Sequence, residues 1–121
     1  MRDSGGQAFS GVATYFSCSN SSSADEKIRF VVRNFDATVK VDSTFLAAAR
    51  RNFTVSTNYT YLAGADSILL TGYVGFGTAI ISSTTTNITC SAMIVDAGGN
   101  PPNFAVALHL QRFNPLSGTQ E

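Results

Sequence analysis

Residues 87–96, Asn87-Ile88-Thr89-Cys90-Ser91-Ala92-Met93-Ile94-Val95-Asp96, alternate in character along their whole length. Extended backbone turns successive side chains to opposite faces. Ile88, Cys90, Ala92 and Ile94 therefore share one face, and Thr89, Ser91, Met93 and Val95 share the other. The first face is wholly apolar and the second mixed, which is the pattern of a central strand buried on one side.

Working outward, Asp96–Asn103 (DAGGNPPN) is the strongest turn signal in the chain, because paired Gly and paired Pro exclude regular structure. Beyond it, Phe104–Asn114 reads as a last long strand with Phe104, Val106, Leu108 and Leu110 on one face. Upstream, Ser67–Val74 and Thr78–Ser83 read as two strands joined across Gly75-Phe76-Gly77, a tight hairpin link. That glycine cluster, with Gly72, has no helix behind it to hold a phosphate.

The clearest alternation lies in Lys27–Asn34: Ile28, Phe30 and Val32 point one way, and Lys27, Arg29, Val31 and Arg33 the other. Thr38–Asp42 repeats the scheme after a turn at Asn34-Phe35-Asp36, so a meander or hairpin is expected. Ala8–Cys18 forms the first strand, with Val12, Phe16 and Cys18 in phase, and Phe53–Ser56 is short strand material. Residues 43–51 (STFLAAARR) are ambiguous between a short helix capped by Ser43 and a connection between sheets. Residues 1–7 read as a flexible leader, 8–116 as a single domain, and 117–121 as a polar tail. About eight strands without repeats or βαβ alternation predict an all-β fold. The expected form is an antiparallel two-sheet β-sandwich, immunoglobulin-like or jelly-roll, with at most one short helix near 43–51.

At 121 residues the chain can bury one real core. Eight basic and eight acidic residues cancel, so nothing electrostatic calls for a nucleic acid or an anionic membrane. Charged residues make up 13% of the chain against about 25% in typical soluble domains, and 14 Ser and 13 Thr take much of their place. No apolar run approaches a membrane helix, so no membrane insertion is expected. The opening MRDSGGQAFS has no apolar signal region. An extracellular, cell-surface or periplasmic location is the expectation, reached by a signal outside these residues, with a cytoplasmic location as the alternative.

Cys18 and Cys90 both lie on the apolar faces of their strands. Either they form a disulfide joining the first strand to the central one, or they are two buried thiols. His109 stands alone on the last strand with no nucleophile elbow anywhere to serve it. One His and two distant Cys make no zinc set. The Asp96–Asn103 loop offers Asp96, Asn100 and Asn103 as weak oxygen ligands for calcium, although the same residues are ordinary turn formers. Four sequons occur, at Asn20, Asn52, Asn58 and Asn87, and they matter only in a secreted eukaryotic protein, where Asn20 in its polar loop is the expected acceptor. Tyr59, Tyr61 and Tyr73, with Phe76, fall in turn-rich stretches where exposed rings could stack on sugars or anchor a partner.

These readings predict a non-enzymatic interaction or structural module without cofactors, working by contact with itself as a homo-oligomer or with another protein or glycan. The alternative is a carbohydrate- or small-ligand-binding domain using Tyr59, Tyr61 and Tyr73. An enzyme would need a carboxylate pair drawn from Asp36, Asp66 and Asp96.

Overall fold

A computed structural model describes residues 1–61 and 67–111. Asp66 and residues 112–121, including the expected tail and the end of the last strand, lie outside the described residues. Eight strands follow in order: β1 Val12–Asn20, β2 Glu26–Arg33, β3 Val39–Ala47, β4 Asn52–Ser56, β5 Ser67–Ile68, β6 Thr78–Ser83, β7 Ile88–Asp96 and β8 Ala105–Leu108. They form a five-stranded sheet ordered β5-β4-β1-β7-β8 and a three-stranded sheet ordered β3-β2-β6. Every pairing is antiparallel except the two-residue β4–β5 pair, which is parallel. The expected all-β, two-sheet arrangement holds.

The core lies between the inward faces of β1, β2 and β7. Phe16 and Cys18 from β1, Ile28, Phe30 and Val32 from β2, and Ile88 and Ala92 from β7 form one buried cluster, closed by Ala47, Val55, Leu69 and Val74. Phe30 sits between two rings, with Phe16 at 5.4 Å and Phe45 at 5.9 Å between centroids. Val95 is also fully buried, on the opposite face of β7. There it pairs with buried Ala13 of β1, at an end where the segment around Phe9 runs between Tyr59 and Gly98.

Several expectations are corrected. Residues 43–47 continue β3 instead of starting a helix: Phe45 faces the core, Thr44 and Leu46 face out, and only Ala48–Arg51 turn, with Arg50 at φ 58°. Period-two alternation across Thr44-Phe45-Leu46 outweighs the helix preference of the alanines. The expected hairpin across Gly75-Phe76-Gly77 does not form, because β5 and β6 belong to different sheets. Residues 69–77 cross the end of the sandwich. Gly77 packs so tightly that a Cβ there would meet the carbonyl oxygen of Arg33 at 2.8 Å. The last strand is four residues long within the described chain, with His109 exposed beyond its end.

Within residues 1–7, read as a flexible leader, Met1, Arg2, Asp3, Ser4 and Gly5 are hydrogen-bonded into the fold. Asp3 and Val74 exchange backbone bonds of 2.9 and 3.0 Å, Ser4 donates to Val12, and the Met1 side chain packs on the core cluster. Polar composition misled here, because the segment plugs the sandwich end through its backbone. Outside the core, Arg29 grips Asp42 through two bonds of 2.7 and 2.6 Å and holds its carboxyl below the usual carboxylate range. Both groups are exposed, so the pair adds little to stability.

One buried polar residue ties the sheets together. Asn20 continues the inward phase of Phe16 and Cys18 and is 2% exposed. Its side-chain amide donates to the carbonyls of Ala24, Ala47 and Ala48 at 3.0–3.3 Å, and its Oδ1 accepts from the Ser22 N–H at 2.9 Å. Three crossing backbone carbonyls are thus satisfied by one residue. Asn20→Ala strips them of partners in a dry site and is expected to cost about 2–3 kcal/mol, read as a lowered urea midpoint at unchanged slope.

Candidate functional site

The cysteine pair comes first because it frames the large sheet. Cys18 and Cys90 are directly opposed on neighbouring strands β1 and β7, with Cα atoms 4.1 Å apart, and they are disulfide-bonded. Opposed antiparallel residues that share no hydrogen bonds bring their side chains closest, which is the geometry of this pair. The bond joins the first strand to the strand at 87–96, as expected, and it lies within one sheet. Both residues sit in phase with the core, but on adjacent strands. A bonded pair favours an oxidising, extracellular environment.

The three tyrosines are exposed, Tyr59 and Tyr61 against Phe9 and the Tyr73 ring beside Gly75. A cleft of about 230 Å³ is lined by Asp3, Gly5, Gly6, Thr57, Asn58, Leu70 and Gly72, and by none of the three tyrosines. Tyr59 and Tyr73 are the chain neighbours of two lining residues, Asn58 and Gly72. Phe9 stacks on Tyr59 and Tyr61, with centroids 5.7 and 4.8 Å away. Tyr73 lies against Gly5, whose φ of +72° and 2.8 Å approach to the Tyr73 backbone leave no room for a side chain. Asp3 is 2% exposed. Its Oδ1 accepts from the Gly5 N–H at 2.7 Å, while Oδ2 is buried with no hydrogen-bond partner among the described residues. Composition could not have found Asp3, since it stands in the segment read as a leader.

The other candidates are distributed. Asp96 spends both oxygens on its own loop, Oδ1 on the Gly98 N–H and Oδ2 on the Asn103 N–H, each at 3.1 Å. Asn100 joins Pro101 through a cis peptide in the same loop. Among the described residues no three His, Cys, Asp or Glu side chains gather where they could hold a metal ion. Asp36 caps the β2–β3 turn by accepting from the Thr38 N–H at 3.1 Å. That bonding to Thr38 lowers its carboxyl below the usual range.

Of the four sequons, Asn52 and Asn87 are exposed, whereas Asn20 and Asn58 are buried. Asn58 donates its amide to Gln7 at 3.1 Å. Asn20, expected as the acceptor, has its amide nitrogen enclosed by the three carbonyls described above, so a glycan there is incompatible with the fold. Its phase with Phe16 and Cys18 was the signal to read. The polar run that follows it hid that signal.

The second surface of note is β8. It is the outermost strand of the large sheet, and Val106 and Leu108 point to the same face as Ala92 and Ile94. Leu108 packs on the core, yet Val106 is 57% exposed, with Phe104 at 44% and Leu110 at 39%. Among the described residues no helix is long and apolar enough to cross a membrane.

Fold and surfaces together define a small disulfide-bonded β-sandwich domain with an apolar edge and exposed tyrosines. Set against protein-family models, curated proteins and solved structures, the chain matches none.

Proposed function

We propose that this domain is a non-enzymatic interaction module of an oxidising, extracellular or cell-surface compartment, and that it works by contact between polypeptide surfaces, self-association included. The observation that supports the reading is the apolar inner face of β8, exposed at Phe104, Val106 and Leu110 on an edge strand. Edge strands are ordinarily blunted by charge, proline or cover. Ala105–Leu108 carries neither charge nor proline. Antiparallel pairing of β8 with β8 of a second copy would extend the large sheet across a two-fold axis. Net charge of zero offers little repulsion between copies.

Light scattering across a concentration series tests the self-associating form. Mass is expected to rise with concentration, and Val106→Lys, an exposed substitution, to hold the protein monomeric at an unchanged melting temperature. A strict monomer at high concentration removes self-association.

A second reading is favoured by the cleft beside Asp3. The Asp3 carboxylate offers an acceptor for the hydroxyls of a sugar or other small polyol, and Tyr59 and Tyr73, chain neighbours of the lining residues Asn58 and Gly72, offer exposed stacking faces. A glycan array without hits on the folded protein would eliminate it.

A further inference from the structure

The two sheets are unequal: the five-stranded sheet carries one extra strand at each edge, the two-residue β5 at one and the four-residue β8 at the other. The connections β1–β2, β3–β4 and β6–β7 each pass between the sheets in four or five residues at the same end. Links that short stack β2 on β1, β3 on β4 and β6 on β7. β8 therefore lies one strand further out than anything in the small sheet, and its inner face overhangs the open side of β6. That overhang is why Val106 is exposed although it shares a face with Leu108 of the core.

Among the described residues no strand pairs with the outer side of β6, and that open side has a defined register. An extended residue of an antiparallel pair sends its N–H and C=O to the same side, and successive residues alternate. Gly77 faces outward and exchanges two backbone bonds with Met1, of 2.8 and 3.0 Å. Thr84, of opposite parity, donates inward to Lys27 at 3.1 Å. Pairing of β6 with β2 runs without a register shift from Thr78 to Ser83. Ala79, Ile81 and Ser83 thus present their backbone groups to the open side, and Met1–Gly77 is the first rung of an antiparallel ladder whose next rungs fall on them.

The overhang also decides what fits. Antiparallel edge pairing keeps the faces of both sheets on the same side, so pairing β6 with β6 of a whole second copy would drive one β8 into the other. A lone strand beneath β8 meets no such obstacle. The walls it would touch are Ala79, Ile81, Ile94, Val106 and Leu108, and no Asp, Glu, Lys or Arg occurs from Ser67 to Val95. We infer that the open edge of β6 accepts one extended polypeptide strand donated by another chain, antiparallel to β6, apolar on alternate residues and uncharged, with β8 closing over it. This is strand addition in a slot one strand wide. The inference rests on the reading as an interaction module and names its partner chemistry.

The test is amide exchange on the full chain, followed by NMR, with a blocked seven-residue peptide of alternating Thr and Val as the probe. Without peptide, the amides of Ala79, Ile81 and Ser83 exchange fast while those of Thr78, Ile80 and Ser82 are protected by β2. With peptide, the three outward amides slow about tenfold or more. Ile81→Pro removes one outward N–H and leaves the β2 rungs intact, so it abolishes the effect. Val106→Glu places a charge in the slot without touching the backbone, and it gives the same result should the proline variant fail to fold. The inference is overturned if the three amides stay fast with peptide, if protection falls on β3 or β8 instead, or if they are already slow in the peptide-free protein. A strict monomer that still shows peptide protection loses self-association and retains the acceptor edge. A self-associating protein whose three amides never slow retains the former and loses the latter.

Discussion

Cys18→Ala/Cys90→Ala lowers the melting temperature by roughly 12–24 °C relative to the oxidised protein. Cys18 and Cys90 are 72 residues apart, and cross-linking that span removes chain entropy from the unfolded state worth about 4 kcal/mol. One kcal/mol corresponds to roughly 3–6 °C for a domain of this size. Native packing changes less, because both positions keep a Cβ and the strands are already paired along nine residues of register from Val12–Asp96 to Asn20–Ile88. Paired melts of oxidised and reduced wild type, alongside the double variant, check the expectation. A difference of only a few degrees would mean that β1 and β7 hold one another without the bond.

Phe30→Ala is the other large effect, at about 3–5 kcal/mol. Phe30 is fully buried on the central strand of the small sheet and contacts Phe16 across the core and Phe45 alongside. Truncation forfeits apolar transfer energy and opens a cavity that two sheets held at fixed spacing cannot collapse into. Against a total of about 5–15 kcal/mol, that loss can leave much of the protein unfolded at ordinary temperature. Leu46→Ala, on the exposed face of β3, supplies the contrast and is expected within about 0.5 kcal/mol of wild type. Urea unfolding of both variants separates the cases. Equal midpoints would refute this placement of the core.

What could be read from the chain, and what could not, follows the physics of alternation. Ile28-x-Phe30-x-Val32 and Phe16-x-Cys18 report which faces are buried, because burying one face of a strand demands period two, and these residues do form the core. The same logic makes the two cysteines inward-facing. It is silent on strand order, so whether the bond crosses the core or lies within a sheet was out of reach. Strand limits failed where side chains did not decide them: Leu69–Val74 is apolar, but its backbone turns away to meet Asp3. The tyrosines were visible as exposed-ring candidates. Asp3 was not, since a polar residue in a polar run carries no sign of burial, and the only sign for Asn20 was its phase with Phe16 and Cys18.

The place of β1 in the middle of the large sheet has a consequence for how the chain comes into being. β1 is synthesised before β2 to β8, yet its neighbours are β4 and β7, and β7 ends at Asp96. The β2–β3 hairpin can form at once from local contacts, whereas the large sheet must wait for nearly the whole domain to emerge. During that wait β1 can pair with β4 but not with β7, and Cys18 has no Cys90 opposite it. Synthesis order thus sets assembly order: the disulfide can close only after β7 has brought Cys90 opposite Cys18.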